Sequence, residues 1–291
     1  MTVSAMGRGN PAAPPAAEQD RGAPARKTVW PSVVTNLWRL LVVVVVLAGW
    51  QYLPMIEPLK SRYHVFDPFF ISSPTSVGSY LGKLFTGSDG VVSIWPYLGY
   101  TVQATLIGVA IGVAAGVVVA LLLSQYAALA RVMRPFISFV NATPRIALIP
   151  IIVILVGPTM SMSVITAFLV VFFIAFYNGL SGGLGIPGPI ISNARLLGAS
   201  NSEIAMQVRL PYVGAWVFAA LPNAISFGFV TVVTAEILTG QPGMGQLITT
   251  AISNSDATLT FSVVILLAVV GSLFVLAAEV LQRRILHWWD R

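Results

Sequence analysis

The chain has 291 residues, of which 56% are hydrophobic and only 9% are charged. A soluble domain carries about 25% charged residues, so this composition predicts an integral membrane protein. The chain contains no cysteine, which excludes disulfides, thiol chemistry and zinc–thiolate sites. Its net charge of +6 does not predict nucleic-acid binding, because the basic residues lie between apolar runs. Basic residues in such positions are typical determinants of membrane topology.

The N-terminal third predicts a tail, a first membrane span and an outer segment. Residues 1–30 are rich in Ala, Pro and Gly and predict a disordered cytoplasmic tail. Within residues 31–96, Leu37–Ile56 is the first span, which we expect to stay uncleaved because no Ala-x-Ala-like site follows it. In the outer segment a helix is predicted to start at Ser73-Pro74. It could lie on the membrane surface or pack on the exterior of the protein itself.

Residues 97–285 are predicted to form the membrane core, followed by a cytoplasmic tail at 286–291. The second span, Tyr97–Leu123, carries Gly108, Gly112 and Gly116 at four-residue spacing. Small residues at this spacing let membrane helices approach closely. We expect them to serve packing within one subunit rather than a dimer interface.

The third predicted span, Phe136–Val156, is interrupted by Pro144 and Pro150 and contains Arg145. An ionisable residue at membrane depth is a candidate for function, and here it could contact an anion. Alternatively, the span begins late and Arg145 extends to the inner surface. The second interpretation is favoured because an arginine exposed to lipid is costly.

Three further spans follow at Ser161–Ser181, Gly214–Thr239 and Leu259–Leu281. Glu236 lies near the outer end of the fifth span and is the clearest acidic residue at membrane depth. It could act as a gate or pathway residue, or be a buried carboxylate hydrogen-bonded within the bundle. At the end of the sixth span, Glu279 and Arg283 are one turn apart and can pair.

Between the fourth and fifth spans, residues 188–211 form a moderately polar segment, which we call the elbow. A first short helix is predicted to start near Pro189 and to stop at Gly198, which can adopt the left-handed conformation. Ser200 and Glu203 predict a capping box at the start of a second helix. Pro211 is predicted to mark the joint with the next span.

Lysine and arginine counts predict the topology. Six spans put both termini on one side of the membrane, and the basic residues divide unequally between the two sides. The side of the termini and the elbow carries Arg8, Arg21, Arg26, Lys27, Arg39, Arg131, Arg134, Arg195, Arg209, Arg283, Arg284 and Arg291. The other side carries Lys60, Arg62 and Lys83. This excess predicts that the termini and the elbow are cytoplasmic.

The elbow resembles the EAA loop of permease subunits of ABC importers. Ala194, Gly198 and Val208-x-Leu210-Pro211 keep the spacing of that loop, while Ser192 and Asn193 stand where the family has Glu-Ala. Further phrases resemble the nitrate/sulfonate/taurine-type branch of binding-protein-dependent type I importers. They are Leu197-Gly198-Ala199-Ser200, Pro144-Arg145-Ile146-Ala147-Leu148-Ile149-Pro150, Ala235-Glu236 and Gly243-Met244-Gly245-Gln246-Leu247-Ile248.

The resemblance implies an all-α fold of about six membrane helices with a cytoplasmic coupling helix between helices 4 and 5. It implies a second permease subunit, expected to be identical, two ATP-binding cassette subunits and an extracytoplasmic solute-binding protein. It assigns the contact with the ATPase to a set of elbow residues: Ala194, Gly198, Ala199, Ser200, Glu203, Leu210 and Pro211. Glu236 and Arg145 remain gate or pathway candidates. No catalytic residue, cofactor or metal is expected.

Two other classes of protein fit this sequence less well. A secondary ion-coupled transporter would usually place several ionisable groups at the midplane and contain inverted repeats. An enzyme would need a cluster of reactive groups, but the two histidines, His64 and His287, fall on opposite predicted sides. No G-x-x-x-x-G-K-[ST] phosphate loop occurs, so ATP hydrolysis is expected on a separate subunit. The solute is expected to be a small anion or organic acid such as nitrate, a sulfonate, taurine or bicarbonate.

Overall fold

The computed structural model describes residues 30–56 and 68–286. Almost all of the predicted N-terminal tail lies outside these residues, as do Lys60, Arg62, His64 and His287. The chain divides into two compact units, one up to Ala48 and one from Gly49 onward. In the first unit, the apolar side chains from Val34 to Leu47 are exposed, as expected for a helix surrounded by lipid.

The described residues form helices and the turns between them. In chain order the α-helices are α1 (Trp30–Tyr52), α2 (Pro68–Ile71), α3 (Pro74–Thr86), α4 (Trp95–Gln125), α5 (Ala127–Ala142), α6 (Ile149–Val156), α7 (Met160–Leu184), α8 (Gly188–Leu196), α9 (Asn201–Glu203), α10 (Leu210–Ala219), α11 (Leu221–Thr239), α12 (Met244–Ser253) and α13 (Ala257–Ile285). Short 3-10 helices occupy Leu53–Met55 and Arg145–Leu148, and a π-helix occupies Ile204–Arg209.

Five helices of the described chain are long and apolar enough to cross a membrane, and they belong to α1, α4, α7, α11 and α13. A shorter apolar stretch covers Ile146–Val156. The predicted all-helical membrane fold is therefore confirmed. The first, second, fourth and sixth predicted spans agree with these helices to within a few residues.

The third predicted span is not one continuous helix. Helix α5 ends at Ala142, and the backbone of Thr143 is extended. A residue before proline is pushed out of the helical region by the proline ring, and Pro144 follows Thr143. The chain then makes a 3-10 turn and resumes as α6 at Ile149. The predicted interruption at Pro144 is confirmed, whereas Pro150 lies in the first turn of α6.

The fifth predicted span is also divided, at a point inside the span; Pro211, predicted to join the elbow to this span, does lie at the start of α10. The chain is helical from Asn201 through the π-helix to Ala219, and the break falls at Ala220. Pro222 lies in the first turn of α11 and lacks the N–H that a continuous helix would need there. Pro211 lies at the start of α10, where a missing N–H costs little.

The centre of the second unit is the contact between α4 and α7. A Cβ added to Gly108, Gly112 or Gly116 would lie only 2.5–2.9 Å from the Cβ atoms of Ala167, Val171 and Ala175, respectively. Two helices can approach this closely only where side chains are absent. The prediction that these glycines serve packing within one chain is confirmed.

Helix α3 packs on the protein. Ser73 caps its start by accepting a hydrogen bond from the Ser76 N–H, as predicted. Leu84 is completely buried in a cluster with Ile94, Met244 and Val263. Packing on the exterior of the bundle, one of the two interpretations left open by the sequence, is thus confirmed.

We expect Gly108→Ala to destabilise the chain by about 1–3 kcal/mol, the usual cost of overpacking a tight contact. The new methyl group would meet Ala167 Cβ at 2.5 Å and the Val164 carbonyl oxygen at 2.9 Å. Gly99→Ala in the same helix is the matched control, because no atom lies within 4 Å of its added Cβ. Unfolding midpoints of the purified proteins measure the effect, and equal midpoints would contradict the packing argument.

Candidate functional site: the elbow and the Glu236 loop

The bend of the elbow is a hydrogen-bonded helix end. Gly198 has a left-handed φ of +87°. Its N–H donates to the Arg195 carbonyl at 3.0 Å, and the Ala199 N–H donates to the Ala194 carbonyl at 3.0 Å. This pair of bonds is the Schellman motif. The predicted role of Gly198 in ending the first helix is confirmed, and Ala194 and Ala199 are the residues that close the bend.

The second half of the elbow begins with the predicted capping box. Ser200 Oγ accepts a hydrogen bond from the Glu203 N–H at 3.2 Å, and Glu203 Oε2 accepts one from the Ser200 N–H at 2.8 Å. The bonds from the backbone and side chain of Ser200 lower the pKa of Glu203. The box therefore stabilises the elbow at neutral pH, and this contribution is lost as the pH falls through the lowered pKa.

Between the two caps the elbow exposes apolar side chains. Leu196 is 84% exposed and Leu197 is 89% exposed, at the end of α8. On the far side of the bend, Ile204 and Ala205 are buried. Exposed apolar residues on an otherwise polar, rigid bend are typical of a surface that binds another protein. We call Leu196 and Leu197 the apolar tip.

The elbow is tied to the membrane helices by Arg209, a residue that the sequence reasoning treated only as a topology determinant. Arg209 is half-buried, and its Nη1 donates to the Ser124 carbonyl at 2.6 Å and to the Gly183 carbonyl at 3.3 Å. Burial, and to a smaller degree the charge of Arg195, lowers the pKa of its guanidinium. Leu210 and Pro211 follow directly and open α10.

At the other end of α4, Glu236 is a completely buried carboxylate. The Thr101 hydroxyl donates to Glu236 Oε1 at 2.8 Å, and the Gly245 N–H donates to Glu236 Oε2 at 3.0 Å. Thr101 Oγ1 also accepts the Met244 N–H at 2.9 Å. A Cβ on Gly243 would collide with the carboxylate. The side chain therefore holds the loop before α12 against α4 and α11, which fits the interpretation of Glu236 as a carboxylate hydrogen-bonded within the bundle.

A second polar contact holds the same loop. The Tyr100 hydroxyl donates to Gln241 Oε1 at 2.7 Å, and Gln241 Nε2 donates to the Pro158 carbonyl. Gln241 thus connects α4, the turn between α6 and α7, and the turn between α11 and α12. Sequence reasoning missed this residue, because a single glutamine in a polar turn carries no pattern.

Arg145, the other pathway candidate, begins the 3-10 helix Arg145–Leu148. Its side chain lies outside the described part of the structure. Ile149, one turn further on, is buried beside Ala235. Among the described residues there is no group of three or more His, Asp or Glu side chains that could hold a metal ion.

An open groove of about 660 Å³ lies between α11 and α13, lined among others by Phe229, Thr234 and Ser272. The Thr234 hydroxyl donates to the Val230 carbonyl at 2.8 Å, and the Ser272 hydroxyl donates to the Ala268 carbonyl at 2.7 Å. These hydroxyl protons are thus committed to their own helices. The groove is mainly apolar.

Comparison with known proteins identifies the family to which this geometry belongs. Residues 108–287 match the family described as binding-protein-dependent transport system inner membrane component. The chain is 23% identical to the taurine transport system permease protein TauC of Escherichia coli, over 76% of this chain and 81% of TauC. It is 25% identical to SsuC of Escherichia coli, named for aliphatic sulfonates transport, over 74% of this chain and 85% of SsuC. A structure titled as an inward-facing conformation of the MetNI methionine ABC transporter has the same fold, with a TM-score of 0.52 and 21% identity, over 66% of this chain and 94% of that chain.

We expect Gly198→Val to open the bend, because the left-handed conformation costs a residue with a side chain about 1–2 kcal/mol. The amides of residues 198 and 199 should then exchange hydrogen roughly 5–30-fold faster, the factor that such a cost implies. Gly188→Ala is the control within the elbow, since its Cβ meets no atom within 4 Å and its φ is not positive. Hydrogen exchange measured by mass spectrometry tests this, and unchanged protection in Gly198→Val would refute it.

Thr101→Val should destabilise the chain by about 1–3 kcal/mol, because it leaves the Met244 N–H and a carboxylate oxygen buried without their partner. Thr105→Val is the matched control: Thr105 is equally buried, but its hydroxyl donates only to the Thr101 carbonyl of its own helix. Thermal unfolding in detergent compares the two variants. If they lose the same stability, the buried link between Thr101 and Glu236 contributes nothing of its own.

Proposed function

We propose how this chain works on the premise that it belongs to the family of binding-protein-dependent transport system inner membrane components. A member of that family is the permease subunit of an ABC importer, a transport component rather than an enzyme. Its partners are, in general, ATPase subunits and a solute-binding protein.

The elbow is proposed to be the site that the ATPase subunits contact. The observation that carries this proposal is the apolar tip, which is held by a Schellman motif on one side and a capping box on the other. A surface that must transmit motion has to be rigid, and both caps satisfy backbone groups that would otherwise fray. Closure of two ATPase subunits on ATP would move the elbow as a rigid body and switch the spans between outward-open and inward-open states.

This role requires the elbow to be cytoplasmic, which we propose together with cytoplasmic termini. Support comes from the charges near the elbow. Arg209 contacts the end of α7, and Arg131 lines a cavity with Leu184 of the same end. Near the opposite end of α4, Lys83 is paired with Asp89 at 3.1 Å. An excess of arginine on one side is the pattern of the cytoplasmic face.

Two copies of this chain are proposed to form the solute pathway, with Glu236 supporting a gate and Arg145 available to an anion. The groove between α11 and α13 supports a protein partner, because a mainly apolar surface, on which the Thr234 and Ser272 hydroxyls donate to their own helices, offers little to a small anion. The cargo is proposed to be a small anion or organic acid such as nitrate, a sulfonate, taurine or bicarbonate. The names of TauC and SsuC make taurine and alkyl sulfonates the first solutes to test.

Proteoliposomes that contain the chain with its ATPase partner, and its binding protein outside, provide the test. Labelled taurine should accumulate only with internal ATP and binding protein, and an ATPase subunit unable to hydrolyse ATP should abolish uptake. Gly198→Val should abolish uptake while Gly188→Ala retains it. Uptake driven by a proton or sodium gradient without the ATPase would instead establish a secondary transporter. ATP-dependent uptake of another anion would correct the cargo alone.

A further inference from the structure

Arg209 occupies a junction of three helical segments. Ser124 and Gly183 are the next-to-last residues of α4 and α7, and Arg209 is the last residue of the π-helix that follows the elbow. The carbonyl groups of the last turn of a helix have no partner within that helix. They also carry the negative end of the helix dipole, so a cation is favoured there. One guanidinium nitrogen bonds a carbonyl from each of the two helices.

The two helix ends that Arg209 joins already touch. A Cβ on Gly183 would lie 2.5 Å from Ser124 Cβ, and Ser124 is 2% exposed. This contact lies at the ends of the tightly packed α4–α7 pair. Arg209 therefore bonds two helices that must move together, and it does so from a segment that is continuous with the elbow.

Apolar packing continues the same attachment immediately after Arg209. Val213 and Val217 of α10 are buried. A Cβ added to Gly179 of α7 would lie 3.1 Å from a methyl carbon of each of these valines. A Cβ on Gly182 would lie 2.7 Å from the Trp216 ring. These contacts hold α10 against α7, but they are non-directional and bury no hydrogen bond. Arg209 adds a directional contact to both α7 and α4, beside the cluster in which Val213 and Val217 pack with Ala120 of α4.

The π-helix determines where Arg209 falls. Its hydrogen bonds span five residues rather than four, so the side chains that follow are rotated about the axis relative to an α-helix of the same length. Ile204 and Ala205 face the protein, Met206 is 58% exposed, and Arg209 returns to the protein at the end of the segment. Single π-turns within helices are frequent at functional sites.

We infer that Arg209 is the positioning residue that transmits movement of the elbow to the ends of α4 and α7. The inference rests on the proposed function of the elbow. Without the guanidinium, the elbow would still bind the ATPase through its apolar tip. Its displacement would be absorbed at the junction, and ATP hydrolysis would proceed with less import.

Arg209→Met and Arg209→Lys test this in the full importer complex in proteoliposomes. Methionine keeps much of the length but removes the charge and the donors, whereas lysine keeps a cation that can bond the carbonyls. We expect Arg209→Met to copurify with the ATPase as the parent does and to import about tenfold less cargo per ATP hydrolysed, within the usual range of coupling between sites. Arg209→Lys should recover most of the ratio.

Arg283→Met is the matched control, because the Arg283 side chain is 83% exposed at the end of α13 and makes only a 3.9 Å pair with Glu279. It should leave the ratio of import to hydrolysis unchanged. An unchanged ratio in Arg209→Met would overturn the inference. Loss of ATPase binding in both Arg209 variants would overturn it as well, because Arg209 would then be needed for the fold rather than for transmission.

A second measurement does not depend on the cargo. The chain has no cysteine, so one cysteine at Val92, which is 53% exposed just before α4, can carry a fluorescent label. ATP should change the signal in the parent complex and change it far less in Arg209→Met. If the fluorescence of the parent complex does not change on addition of ATP, both this inference and the proposed role of the elbow are overturned. An equal response in parent and variant would overturn the Arg209 inference alone.

Discussion

The close contact between α4 and α7 is the constraint on which the rest of the second unit depends. Glycines at 108, 112, 116 and 183 remove the side chains that would hold the two helices apart. In a membrane, where lipid competes for every apolar surface, such backbone proximity is the main source of helix association. A helix of 31 residues is about 46 Å long, so α4 reaches from one side of the bilayer to the other. The contact thus makes one stiff body with two ends.

At each end of the α4–α7 pair, hydrogen bonds connect the pair to a different part of the chain. At one end Thr101 bonds Glu236 and the loop before α12. At the other end Ser124 and Gly183 accept hydrogen bonds from Arg209. Polar groups are expensive in the membrane unless they are paired, and both sites pair them with backbone groups. The protein therefore uses charged side chains to fix loops and helix ends, and uses packed small residues between them.

Sequence reasoning succeeded where one residue type has one physical consequence. Gly198 ends a helix, and Ser200 and Glu203 form a capping box. Gly108, Gly112 and Gly116 permit close packing. Each of these outcomes follows from local chemistry. It failed where the outcome depends on tertiary contacts. Pro211 and Pro222 have the same chemistry, yet only the break at Ala220 separates two helices. Arg209 contributed to the count of basic residues but belongs to no motif. Its contacts could not be predicted because its two carbonyl partners are 85 and 26 residues away in the chain.

The break at Ala220 separates the two helices that follow the elbow, and these helices make different contacts. Helix α10 follows the elbow without a break and packs on α7 through Gly179 and Gly182. Helix α11, which carries Glu236, is separated from α10 by the break at Ala220. A rigid displacement of the elbow would therefore reach the α4–α7 pair directly through α10. Helix α11 is held to the same pair at two levels: Ala224 is buried with Val109 of α4 and Val171 of α7, and Glu236 accepts the hydrogen bond from Thr101. The α4–α7 pair is thus the body through which the elbow and the Glu236 loop are connected.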